Sequence, residues 1–163
     1  NGEDGFGFGA RRISVSTAGI VEGIEKLIKE KIEINLAISL HAPNDEIREK
    51  IMPINKRYPI KKILQVVDKY IAATNRKVMF EYVVLQGVND SDECAAELVK
   101  IMNKPLYMVN LVPYNETGLF KPSTTPRIKR FREILEKNKI SVTQRFRFGD
   151  DIKAACGQLA TNK

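Results

Sequence analysis

The sequence predicts an α/β fold, a mostly parallel sheet of about five βα units. Two patterns carry this reading. Apolar runs of strand length alternate with stretches of ten to fifteen residues at helical spacing, and the central runs are nearly continuous in apolar residues, as in strands covered on both faces. At 163 residues and 43% hydrophobic content, the chain suits one domain and is too apolar for disorder.

The elements follow in order. Asn1 to Gly9 holds four glycines and is read as a flexible loop over residues 1–10. Arg12 to Thr17 is a β-type run, and Ile20, Ile24, Leu27 and Ile28 recur at helical spacing. Ile32 to Leu40 is the second strand. Asn44 caps a short helix whose first turn carries Asp45 and Glu46. Pro59 precedes a stronger helix, with Ile60, Ile63, Leu64, Val67, Tyr70 and Ile71 on one face. Lys77 to Leu85 is the third strand, and Asp90-Ser91-Asp92-Glu93 opens a helix through Leu98, Ile101 and Met102. Leu106 to Val112 is the fourth strand. Pro126 to about Glu136 is a helix with Ile128, Phe131, Ile134 and Leu135 inward, and Ile140 to Phe146 is the fifth strand.

About five units are too few to close an eight-stranded barrel. The run Gly5-Phe6-Gly7-Phe8-Gly9 precedes a strand, the wrong context for a dinucleotide loop. Two cysteines, 94 and 156, make no disulfide framework and no metal-ligand spacing, so no metal site is assigned within the chain. No signal-peptide pattern opens the chain, and no apolar stretch nears the ~20 residues that span a bilayer. The expectation is a cytoplasmic protein with no membrane partner.

The net charge of +7 is localised. Residues 121–147 hold nine of the 27 basic residues and only two of the 20 acidic ones, so the remainder is balanced. Arg127, Lys129, Arg130, Arg145 and Arg147 are candidate contacts to a polyanion such as RNA; a solvated basic helix face explains the same pattern.

In a parallel sheet, functional groups collect past the C-terminal strand ends. Those ends read Ser14-Val15-Ser16-Thr17-Ala18-Gly19, Ser39-Leu40-His41-Ala42-Pro43-Asn44-Asp45, Gln86-Gly87-Val88-Asn89-Asp90, Asn110-Leu111-Val112-Pro113-Tyr114-Asn115 and Arg147-Phe148-Gly149-Asp150-Asp151. Ser39 and His41 could merely terminate a strand, and Asn115 could be a turn residue. Their joint placement points instead to a site for a ligand rich in hydrogen-bonding groups. Cys94 lies among Ala95, Ala96 and Leu98 as a packed hydrophobe, whereas Cys156, between Ala155 and Gly157, leaves room for a substrate.

These strand ends, together with Met52-Pro53-Ile54-Asn55 and Ala155-Cys156-Gly157-Gln158-Leu159, occur in an order that resembles the RlmN/Cfr family over nearly the whole chain. Those are radical S-adenosylmethionine (SAM) enzymes that methylate adenine in RNA, and Ala37-Ile38-Ser39-Leu40-His41-Ala42-Pro43-Asn44-Asp45 looks more like the RlmN branch. The resemblance implies a partial (β/α) barrel of the radical SAM type. It also implies two SAM-dependent stages: one SAM methylates a cysteine, and a second, cleaved by a 4Fe-4S cluster, generates the radical that activates that methyl group for addition to adenine. By motif Cys156 matches the methyl-carrying cysteine, and Ser16, Ser39, Leu40, His41 and Asn115 match SAM-contacting positions. The implied partners are 23S rRNA, tRNA for members of that branch, and an electron donor.

The family's C-x3-C-x2-C cluster motif, Gly-Glu SAM motif and resolving cysteine are not found here, and Cys94 does not occupy the resolving position. The expectation is that residues 1–163 are the C-terminal part of a catalytic domain whose cluster-binding part lies upstream, inactive in isolation. The competing expectations are a stand-alone basic RNA-binding α/β module without catalysis and a Cfr-like adenine-C8 methyltransferase.

Overall fold

The computed structural model describes residue 9 and residues 12–145. It contains five strands, β1 (Ser14–Thr17), β2 (Asn35–Ser39), β3 (Val78–Val84), β4 (Tyr107–Pro113) and β5 (Val142–Gln144). The helices are α1 (Val21–Lys29), α2 (Asp45–Ile51), α3 (Ile60–Thr74), α4 (Asp92–Met102) and α5 (Thr125–Lys137), with a 3-10 turn at Pro53–Lys56. All strand pairs are parallel and the order is β1-β2-β3-β4-β5, as the βα reading requires. Parallel crossovers are right-handed, so successive steps in one direction place every crossover on the same face of the sheet.

The burial pattern of β3 records this asymmetry. Val78, Phe80, Tyr82 and Val84 are buried among Ile63, Val67, Leu98 and Phe131 of the helices, whereas Met79, Glu81 and Val83 on the opposite face are only partly covered. Each fully buried aliphatic or aromatic side chain contributes roughly 1.5–3 kcal/mol, so the helix-covered face anchors the fold. The other face, the inner face of the partial barrel, carries a polar row. Ser39, Glu81, Asn110 and Thr143 are register partners on four adjacent strands, and Thr143 Oγ1 donates to Asn110 Oδ1 at 3.0 Å.

Helix starts follow the sequence signals. Asn44 Oδ1 accepts from the Ile47 N–H at 2.9 Å, Ser91 Oγ from Cys94, and Thr124 Oγ1 from Arg127. Asp45 Oδ1 reaches the first turn of the next helix, accepting from the Ile60 N–H at 2.8 Å.

Three element ends differ from the expected ones. β1 starts at Ser14 and β2 at Asn35, because the β1-β2 ladder begins where the Asn35 N–H donates to the Ile13 carbonyl. Ile32 therefore precedes the sheet and is half exposed. The described part of β5 is confined to Val142–Gln144.

Candidate functional site

β2 leaves the sheet abruptly. His41 adopts a left-handed backbone with φ 57°, so its main chain cannot continue the ladder, yet β3 extends three residues beyond the level of Ser39. The imidazole fills the gap, its Nδ1 accepting the Val83 N–H at 3.1 Å. The Glu81 carbonyl accepts both the Leu40 N–H (3.1 Å) and the His41 N–H (3.0 Å). Burial, helped by the nearby Arg48 charge, pushes the His41 pKa down to about 4. The ring is thus neutral at pH 7. With Nδ1 accepting, its proton sits on Nε2, which has no partner among the described residues.

Two buried side chains hold this turn. Arg48 of α2 is 0% exposed; its Nε donates to the Leu40 carbonyl, Nη1 to Asn55 Oδ1 and the Tyr58 carbonyl, and Nη2 to the Ala18 and Ser39 carbonyls. All five acceptors lie between 2.8 and 3.1 Å, and none is a carboxylate. Asn89 acts from the other side: Nδ2 donates to the His41 and Val83 carbonyls, and Oδ1 accepts the Leu85 N–H. Asp90 is likewise occupied, by the Gly87 N–H and the Ser123 hydroxyl.

A cavity of about 780 Å³ opens at this rim. Ser39, His41, Glu81, Tyr114, Asn115 and Arg145 supply its polar lining, and Val83, Leu85, Leu119 and Phe120 much of its apolar lining. The loop after β4 forms one wall, held over the end of β3 by Gln86 N–H donating to the Lys121 carbonyl at 2.9 Å. Tyr114 stacks edge-on against Phe120 and hydrogen-bonds Thr117 within that loop.

Of the predicted site residues, Ser39, His41 and Asn115 meet at this cavity. Ser16 reaches it through Glu81, its hydroxyl donating to Oε2 at 3.2 Å. Leu40 is a correction: its side chain is wholly buried, its N–H and carbonyl are engaged by Glu81 and Arg48, and it does not line the cavity. The third strand end is a correction: Asn89 and Asp90 point into the fold as staples and do not line the cavity. Sequence reasoning missed Arg48 and Glu81. The available signal for Glu81 was its charge inside the apolar run Val78-Met79-Phe80-Glu81-Tyr82-Val83-Val84.

The basic candidates divide. Arg127 and Arg130 both pair with Asp92, at 2.5 and 3.3 Å, and hold that carboxyl below its usual range. Lys129 is exposed on α5 and Arg145 lies at the cavity. Arg147 and Cys156 lie outside the described residues. Cys94 is buried in α4, and no group of three or more His, Cys, Asp or Glu able to hold a metal ion occurs among the described residues. None of their helices is long and apolar enough to cross a membrane.

No family model matches the chain. Against curated proteins it is 50% identical over 161 residues to a probable dual-specificity RNA methyltransferase RlmN of Caldicellulosiruptor saccharolyticus, covering 98% of this chain and 47% of that protein. The similarly named protein of Spiroplasma citri is 46% identical, with 98% and 46% covered, and that of Rhodopirellula baltica 47% identical, with 99% and 44% covered. Among solved structures, a radical SAM methyltransferase from Sphaerobacter thermophilus superposes with a TM-score of 0.92 at 46% identity, covering 96% of this chain and 47% of that one. A domain of a pyruvate-formate lyase-activating enzyme from Bacteroides vulgatus shares the fold alone, at a TM-score of 0.65 and 15% identity. The chain spans about half the length of the relatives it matches. By sequence and by fold, these 163 residues are similar to the RlmN-type radical SAM methyltransferases over the portion of those proteins that they cover.

Proposed function

We propose that this chain forms part of the catalytic domain of an RNA adenine methyltransferase of the RlmN type, contributing one wall of the SAM site and the cysteine that carries the methyl group. The observation that carries the reading is the convergence of Ser39, His41 and Asn115, each matching a SAM-contacting position, on one cavity. The donor set suits that ligand: hydroxyl, amide, imidazole N–H and carboxylate groups complement a ribose and an amino-acid moiety, and apolar walls complement an adenine. When bound, SAM supplies the methyl group. The described residues do not fit an iron–sulfur cluster, whose ligands then belong to a part of the enzyme outside this chain.

The geometry supports the roles of His41, Arg48 and Asn89. His41 offers a permanent Nε2–H donor, because its other nitrogen is committed to Val83. Arg48 and Asn89 fix the strand end that carries Ser39 and His41. Cys156 accepts the methyl group and presents it to adenine C2, a poor nucleophile for which polar methyl transfer is unsuited. Lys129, Arg145 and Arg147 meet RNA phosphates, with Arg127 and Arg130 held back by Asp92. The substrates on this reading are 23S rRNA and tRNA, with an electron donor as a further partner.

The test uses the full-length protein that carries this chain, produced with SAM and its cluster. Peptide mass spectrometry is expected to find a methyl group on Cys156, and Cys156→Ala to abolish methylation of RNA. An unmodified Cys156 in active enzyme refutes the cysteine's role. Nucleoside analysis of the product separates C2 from C8 methylation, and rRNA from tRNA as substrate.

A further inference from the structure

The cavity has one carboxylate in its lining, Glu81, and no particular partner on the ligand has yet been assigned to it. It projects from the middle of β3, between Ser39 and Asn110 in register, on the inner face of the sheet. A carboxylate there interrupts an otherwise apolar strand. The Ser16 hydroxyl donates to Oε2, which orients the carboxylate, while Oε1 has no partner among the described residues. The Glu81 main chain is fixed as firmly, its carbonyl accepting two N–H groups from the Leu40–His41 turn.

We propose that Glu81 is a specificity-determining residue of this site, its carboxylate accepting hydrogen bonds from the vicinal hydroxyls of a ribose held in the cavity. The inference rests on the reading of the cavity as a SAM site. An ionised carboxylate only accepts, so the ligand must bring the donors, and a ribose diol brings two on adjacent carbons, matched to two carboxylate oxygens. A ligand ammonium is the other class of donor. The des-amino probe below separates that class from the diol. The pre-oriented carboxylate on a central strand discriminates because it is left unpaired when a hydroxyl is missing.

The experiment measures equilibrium binding by calorimetry on the full-length protein carrying this chain. The probes are S-adenosylhomocysteine and its 2′-deoxy, 3′-deoxy and des-amino forms. The wild type is expected to bind the ribose form about tenfold or more tightly than either deoxy form, the scale of one charge-assisted hydrogen bond. Glu81→Gln, nearly isosteric, is expected to lose that factor for the ribose form and change little for the deoxy forms, so that the preference collapses. Ser16→Ala, which frees the carboxylate to rotate, is expected to narrow the preference without erasing it. A preference that survives Glu81→Gln, or a Glu81→Gln loss that disappears with the des-amino probe, overturns the proposal. If the wild type binds none of the four, the SAM reading itself fails and Glu81's role fails with it. Circular dichroism spectra and melting curves verify that each variant is folded before its affinity is read.

Discussion

Arg48 supports the sharpest prediction, because its five hydrogen bonds converge from four separate stretches of chain: the ends of β1 and β2, the 3-10 turn and the residue pair before α3. Replacing it by alanine leaves the carbonyls of Ala18, Ser39, Leu40 and Tyr58 and the Asn55 side-chain oxygen without that partner. A buried acceptor left unsatisfied costs about 1–3 kcal/mol, and the cavity left behind adds to that. Water entering the space recovers part of the sum, so the expected loss is about 4 kcal/mol or more. Set against the roughly 5–15 kcal/mol that holds a domain of this size together, that loss removes from about a quarter to most of the stability. Arg48→Lys keeps the charge but reaches only some of the fan of acceptors, with an expected loss of about 2–3 kcal/mol. Urea unfolding followed by circular dichroism reads both variants through the midpoint and slope. An Arg48→Ala protein within 1 kcal/mol of the wild type would show that the five bonds hold little and that Arg48 does not fix the Ser39–His41 turn.

Two further outcomes test the same region. His41 is the chain's single histidine, and its folded pKa of about 4 lies below the ordinary 6.5. The unfolded chain therefore binds the proton first. Stability is full above about pH 6.5, declines by up to about 1.4 kcal/mol per pH unit as pH falls toward 4, and gains no further loss from this group below that. Urea midpoints at pH 7.5 and 5.0 should differ, and His41→Gln should flatten the slope between them; equal wild-type midpoints contradict the buried neutral ring. Gly19, before α1, has φ 93°, and an added Cβ would lie 2.5 Å from Ile63 Cδ1. Gly19→Ala is expected to cost about 2 kcal/mol, seen as a melting temperature lower by several degrees. The double variant with Ile63→Val, which removes the nearest atom, should recover less than half of the alanine effect, because the backbone strain remains.

The alternation of strand and helix was legible because it rests on side-chain periodicity, and the Asn44 and Ser91 caps because a capping side chain is a local signal. Ser39, His41 and Asn115 could be nominated together because parallel topology assigns strand ends to one rim. Arg48 was illegible for a definite reason. In Asp45-Glu46-Ile47-Arg48-Glu49-Lys50-Ile51 it looks like one more exposed charge on a short helix, and four of its five acceptors are main-chain carbonyls, which leave no trace in residue identity. The role of His41 toward Val83 depends on a left-handed φ that nothing in Ser39-Leu40-His41-Ala42 announces. The polar letters of Asn89 and Asp90 were visible, but whether they face a ligand or the fold is decided by the turn after β3.

The strand order has a consequence for how the chain assembles. Every strand pairs with its neighbours in sequence, so each βα unit docks on the one synthesised just before it, and no strand pairing has to wait for a distant partner. A sheet of this kind grows by accretion. Among the described residues its first strand presents one unused ladder, flanked by the half-exposed side chains of Ile13 and Val15. That edge is a template: a further parallel strand can be laid against β1 without disturbing a single hydrogen bond among β1 to β5, and the same sites offer adhesion to a second copy at high concentration.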